Sequence, residues 1–194
     1  ALLEIEAYPT SHDLVYNLHD GYNLISYIGL NGALLDDALP DFMEQDISDI
    51  LTEGMAATRH PEWGWVGSLS TTGFEHLKGY WIRNATEDNI QFSWDIPNED
   101  SLFVNGRNQI QIVEYNQIPN DFKFVQSSKQ AFYFFENIII DEYEIKEGDW
   151  ILAFNGNILV GSRRWIGPYT DIPVMGYDGN NKTLGYCNTS DIPS

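Results

Sequence analysis

The chain has 194 residues, and its 29 Asp and Glu against 10 Lys and Arg give a formal net charge of −19. Only 20% of residues are charged while 43% are hydrophobic and 14% aromatic, enough to bury a core and to exclude a disordered acidic tail. Nucleic acid is excluded as a partner on charge: Arg163-Arg164 is the nearest approach to a basic cluster, and a phosphate-binding face needs many such residues.

The opening ALLEIEAY carries Glu4 and Glu6 and no preceding basic residue. That is unlike an intact signal peptide and reads as a mature end or a piece of a longer chain. Residues 13–30 read as two short strands around a turn at His19-Asp20-Gly21. Tyr22, Leu24, Ser26 and Ile28 share one face; Ile25 and Tyr27 point to the other. Between 33 and 53 the period changes. Leu34, Leu35, Leu39, Phe42 and Met43 recur at helical spacing and Pro40 divides the segment. Asp46 then caps a second short helix carrying Ile47, Ile50 and Leu51, which Gly54 ends.

Beyond residue 55 the pattern is strand-like. Aromatic or β-branched runs fall at 63–69, 79–83, 89–94, 109–115, 130–141, 150–154 and 157–165, parted by Pro, Asn and Gly breakers. Phe154-Asn-Gly-Asn-Ile158 is the clearest hairpin, an Asn-Gly turn between apolar strands. Many short strands with little helix predict a mainly β fold, a sandwich or barrel, built as one continuous sandwich or as two packed lobes. The polar, proline-marked stretch near 95–129 suggests a division. Residues 1–12 form a terminal strand or linker, 13–95 a β lobe with the helical insert, 96–128 a connection, and 129–194 a second β lobe.

Two motif blocks carry a resemblance. One is LHDGYNLISY (18–27) with ILTEGMAATRHPEWGWVGSLSTTGFEHLKGYWI (50–82); the other is SSKQAFYFFENIIIDEYEIKEGDWILAFNGNILVGSRRW (127–165) with TDIPVMGYDGNNKTLGYCNTSDIPS (170–194). Together they resemble uncharacterised β-rich modules of very large secreted, surface or virion-associated proteins, chiefly of marine bacteria and their phages. The resemblance implies an extracellular, cell-surface or virion-surface location and a structural role. Members of that group often continue past DIPS with another apolar strand, which implies truncation, processing or a strand supplied by a neighbour.

Cation chemistry has two candidate places. Asp178-Gly-Asn-Asn-Lys-Thr offers oxygens at alternating positions, but Lys182 at the fifth position and Thr189 at the twelfth exclude an EF-hand. The alternatives are a plain polar turn or a non-EF calcium site using Asp178 and Asn180. Glu147-Gly-Asp149-Trp150 likewise reads as a tight turn into a core strand, with Asp149 as the alternative cation ligand. No other cofactor is expected.

The best ligand candidate is the segment His60-Pro-Glu62-Trp63-Gly-Trp65, with Trp81 and Trp165 as further aromatics. Aromatic faces beside Asp, Asn or Glu stack on sugar rings. Trp65, Trp81 and Trp165 are expected in the core, and Trp63, in a Pro/Gly loop, in solvent. The single cysteine, Cys187, reads as a small buried hydrophobe and excludes an intrachain disulfide. No metalloprotease spacing joins His12, His19, His60 and His76, and neither a G-x-S-x-G elbow nor a phosphate loop occurs. No apolar run approaches the ~18 residues of a membrane span.

The expectation is therefore a non-catalytic extracellular or particle-surface structural module that self-associates or joins a larger assembly. An end strand holding Leu2, Leu3 and Ile5 would pair with a neighbour's open edge. The alternative is a carbohydrate-binding or adhesion module using exposed aromatics; a weaker one is a glycan-active enzyme.

Overall fold

The structure, a computed structural model, describes residues 14–96 and 118–194. The 109–115 run and the proposed assembly residues Leu2, Leu3 and Ile5 lie outside the described residues. The fold is mainly β and sandwich-like, with every named strand pair antiparallel and no closed barrel among the described residues.

The first half contains β1 (Tyr16–Leu18), β2 (Gly21–Ser26), α1 (Leu35–Ala38), β3 (Ile47–Thr52), β4 (Met55–His60), β5 (Gly64–Val66), α2 (Ser68–Thr72), β6 (Gly79–Asn84) and β7 (Ile90–Phe92). Five of these strands form one sheet in the order β2-β6-β3-β4-β5, while β1 pairs with β7. The turn at His19–Gly21 is present, but the strands it joins go to different partners.

Side-chain alternation sets the two faces of the sheet. Asn23 and Ile25 point inward, whereas Tyr22 and Leu24 are exposed. On β6, Tyr80 and Ile82 are buried and Trp81 is 44% exposed, so the expectation of a core Trp81 is corrected by strand parity. Beneath the sheet, Tyr27 stacks on Phe74 at 4.9 Å, Tyr80 meets Phe74 edge-on at 4.8 Å, and Trp94 donates its Nε1–H to the Ser26 carbonyl at 2.9 Å. Burial pushes the Tyr80 hydroxyl up to about 12.

The helical insert is smaller than its sequence spacing suggests. Only Leu35–Ala38 is α-helical, and Ile47–Thr52 is a strand rather than a helix capped by Asp46. The register shifts between Ile47 and Asp49, so the pairing slips there while Ile47 and Ile50 are both fully buried. Such a bulge places inward side chains three residues apart, the spacing that mimics a helix. Gly54, at φ +70°, makes the β3–β4 turn instead of a helix end.

The second half contains β8 (Gln130–Phe135), β9 (Ile139–Ile140), β10 (Tyr143–Glu144), β11 (Trp150–Asn155), β12 (Ile158–Arg164) and β13 (Thr170–Met175). The β11–β12 hairpin closes at Asn155↔Ile158, with Gly156 at φ +61° in the turn expected there. Strand β13 pairs with β8 and is buried along its whole length. A Cβ on Gly161 of β12 would lie 1.7 Å from the Pro173 carbonyl oxygen, so glycine permits the close approach of β12 to β13. A second apolar cluster, with Val160, Ile172, Met175, Tyr186 and buried Cys187, sits here, separate from the cluster under the five-stranded sheet.

Polar bonds join the halves. The Asp171 carboxylate of β13, fully buried, accepts from Ala56 N at 3.2 Å, from Ser68 Oγ at 3.0 Å and from Ser68 N at the start of α2. Arg163 Nη2 reaches the same carboxylate at 3.1 Å and donates to the Gly54 carbonyl. Gln130 adds Nε2 to Thr52 O at 3.1 Å and accepts from Gly54 N at 3.3 Å. These bonds fix β12, β13 and β8 against the β3–β4 turn, the start of β4 and the start of α2.

Candidate functional site

Two loops meet at that junction. The β4–β5 turn is His60-Pro-Glu-Trp-Gly64, closed by the His60↔Gly64 pair with Gly64 at φ +70°. Within that turn Trp63 is 60% exposed. The β12–β13 connection is Ile166-Gly-Pro-Tyr169, where Thr170 N donates to Gly167 O at 3.2 Å and Thr170 Oγ1 donates to the same carbonyl at 2.6 Å. Pro168 followed by a positive-φ residue is the pattern of a type II turn, whose third position favours glycine. Here that position is Tyr169, at φ 62°.

A non-glycine residue held in left-handed conformation costs about 1 kcal/mol or more, so the ring's placement is maintained against backbone strain. The Tyr169 ring lies 4.7 Å from His60 and 5.9 Å from Trp63, with His60 and Trp63 at 6.5 Å and 82°. His60 Nδ1 accepts from Glu62 N at 3.2 Å, which leaves the proton of the neutral ring on Nε2. Nε2 then donates to the Tyr169 hydroxyl at 3.2 Å, so that hydroxyl keeps its own proton to offer a ligand.

Beside the rings opens a cleft of about 220 Å³. Trp63 and Tyr169 stand at its mouth with Ile166 and Pro168, and Trp65 lies deeper, buried, with no partner for its Nε1–H among the described residues. Ser70 and Thr71 of α2 add hydroxyls to the lining. Both donate to α2 carbonyls, Ser70 Oγ to Gly67 O at 2.7 Å and Thr71 Oγ1 to Ser68 O at 3.0 Å, leaving their lone pairs as acceptors. Burial and then the carboxylates of Glu136 and Glu62 push the Tyr169 hydroxyl up. None of the lining residues is charged.

Of the expected ligand residues, Trp63 and Trp65 line the cleft; Glu62 shares the β4–β5 turn with Trp63 but is not among the lining residues. Trp165 is buried at 5% exposure and is not among the lining residues; its neighbour Ile166 is. The aromatic that sequence reasoning missed is Tyr169. Its only local signal was Gly-Pro ahead of an aromatic residue, which marks a turn but not which side chain faces a cleft a hundred residues away.

The expected cation residues serve turns. Asp178 Oδ1 accepts from Thr183 Oγ1 at 2.6 Å and from Asn180 N at 3.1 Å, and Oδ2 accepts from Ser128 N at 3.3 Å. These bonds, Thr183's first, hold the carboxyl down at about 2. Asn180 caps the short 3₁₀ turn at Asn181–Thr183 by accepting from Lys182 N, and Asp149 Oδ2 accepts from Lys146 N at 2.9 Å. No group of three or more His, Cys, Asp or Glu gathers with metal-binding geometry among the described residues. No helix among the described residues is long and apolar enough to cross a membrane.

Comparison with protein-family models, curated proteins and solved structures returned no match to this chain.

Proposed function

We infer that the chain is a non-catalytic recognition module of an extracellular or particle surface, binding carbohydrate at the Trp63–Tyr169 cleft. The observation that carries this reading is a 60% exposed Trp63 beside a Tyr169 held in strained backbone, at the mouth of a largely apolar cleft that Ser70 and Thr71 also line. A pyranose presents one apolar C–H face and a rim of hydroxyls. The C–H face lies on the indole, while the rim meets the Tyr169 hydroxyl proton and the Ser70 and Thr71 lone pairs. The site accommodates a single sugar ring at a chain surface more readily than an enclosed molecule, since enclosed small-ligand pockets are typically about 300–1,000 Å³. A glycan array probed with the wild-type chain and with Trp63→Ala tests the reading. Binding to at least one glycan class that Trp63→Ala abolishes supports it; an array that stays blank overturns it.

Self-association is the second reading, favoured by a different surface. Tyr133 and Phe135 of β8 are 41% and 37% exposed, and Ile139, Ile140 and Tyr143 on the β9–β10 hairpin are 63%, 63% and 78% exposed. An exposed apolar strip beside a strand of an open sheet suits strand addition by a neighbouring subunit. Light-scattering mass of the wild type against Tyr133→Lys separates it from a monomer.

A further inference from the structure

The cleft wall carries a donor that the fold leaves unused. Trp65 lines the cleft at 8% exposure, and its Nε1–H has no acceptor among the described residues. Buried polar groups are almost always paired, because an N–H taken out of water without a partner is destabilising. Acceptors stand in the same lining: Ser70 Oγ and Thr71 Oγ1 commit their protons to α2 carbonyls and keep their lone pairs. Val66, Ile166 and Pro168 add apolar surface, and no lining residue is charged. The cleft, at about 220 Å³, is smaller than the roughly 300–1,000 Å³ of pockets that enclose a small ligand, so it suits one substituent of a ring seated outside on Trp63.

We propose that this substituent is an acetamido group, so that the cleft selects N-acetylated amino sugars over sugars with a hydroxyl or a free amine in its place. The inference rests on the carbohydrate reading of the same site and names the sugar class. An acetamide has one carbonyl acceptor, one N–H donor and a methyl group. The carbonyl accepts from Trp65 Nε1–H, the N–H donates to Ser70 or Thr71, and the methyl lies on Ile166 and Pro168. The Tyr169 hydroxyl remains for a ring hydroxyl. A hydroxyl in place of the acetamide brings neither the methyl nor a second polar atom. An ammonium would give up water in a lining that offers no opposite charge.

The test is isothermal titration of the full chain at about pH 5.5, where a free amine is charged. The probes are β-1,4 tetramers of N-acetylglucosamine, glucosamine and glucose. The added hydrogen bonds and the buried methyl predict that the N-acetylglucosamine tetramer binds about tenfold tighter than the other two. Trp65→Phe keeps an aromatic ring and removes the donor, and the preference over glucose is expected to fall to about threefold or less. A second readout needs no variant: the Trp65 Nε1–H proton resonance of the wild type is expected to move downfield with the N-acetylglucosamine tetramer and to move less with glucose. Glucose and N-acetylglucosamine tetramers binding alike, or a preference that Trp65→Phe keeps in full, or a Trp65 resonance that the N-acetylglucosamine tetramer leaves in place, overturns the acetamido selectivity and leaves the carbohydrate reading standing. No binding by any tetramer, in a chain with a normal melting transition, overturns the selectivity, and together with a blank glycan array it overturns both.

Discussion

The Tyr169 hydroxyl lies 3.2 Å from His60 Nε2 across 109 residues of sequence, and this contact closes the aromatic wall of the cleft. It joins a tight turn after β4 to a strained turn before β13; two residues beyond Tyr169, Asp171 bonds Ala56 near the start of β4 and Ser68 at the start of α2.

The strain at Tyr169 yields a prediction that separates function from stability. Tyr169→Gly relieves the positive φ while removing the ring. Stability in urea is expected to stay within about 1 kcal/mol of wild type, the backbone gain offsetting the lost ring contacts. Sugar binding is expected to be lost. A large loss of stability would show that the ring is held for packing rather than for a ligand.

Tyr169→Phe is narrower. It keeps both ring contacts and removes one hydrogen bond, so a stability change of about 1 kcal/mol or less is expected. Affinity for sugar falls, because the donor that faces the ligand is gone.

The sequence showed these turns but not their meeting. Local pattern carried most strands: alternation placed Tyr22 and Leu24 outside and Ile25 inside once one face was known to be buried, and Asn-Gly at 155–156 marked its hairpin. Two places defeated it. The bulge between Ile47 and Asp49 spaces inward residues as a helix does. Thr170–Met175 was missed because a strand buried on both faces has no alternation, and its Asp171 and Pro173 argue against a strand until their partners are known. Trp63 was legible as an exposed aromatic from its Pro/Gly loop, whereas Tyr169 was not, since its position depends on a contact between distant loops.

Asp171 is the centre of the junction, with three donors and the Arg163 guanidinium on a fully buried carboxylate. Burial pushes its carboxyl up, and Arg163 opposes that rise. Asp171→Ala takes the carboxylate from Ala56, Ser68 and Arg163 at a buried site, for an expected loss of about 3–5 kcal/mol. Urea unfolding measures it. Replacing both, Asp171→Leu with Arg163→Met, is expected to recover part of that loss, because both members of the buried pair are then apolar.

Asp178 gives a pH dependence whose sign is fixed. Its carboxyl is held at about 2 in the folded chain, below the unfolded value near 3.9. Its contribution is therefore fully present above about pH 4 and is lost as the pH falls through 2. Between those values the wild type should lose stability more steeply than Asp178→Asn. Parallel curves over that window would contradict the bonding of Asp178 to Thr183, Asn180 and Ser128.

Both Asp178 carboxylate oxygens are engaged in turn-forming bonds, and so are Asn180 Oδ1 and one Asp149 oxygen. Calcium is accordingly expected to raise the melting temperature only through ionic strength, equally with magnesium at matched concentration. A rise particular to calcium would show that these oxygens reorganise around the ion.

The most direct measurement of the carbohydrate reading is the intrinsic tryptophan fluorescence of the full chain, titrated with β-1,4 tetramers of glucose and of N-acetylglucosamine. The account predicts a saturable change in the wild type that vanishes in Trp63→Ala, with the melting temperature of the variant unchanged because Trp63 is largely exposed. A flat titration in the wild type, or the same saturable binding in Trp63→Ala, would contradict it.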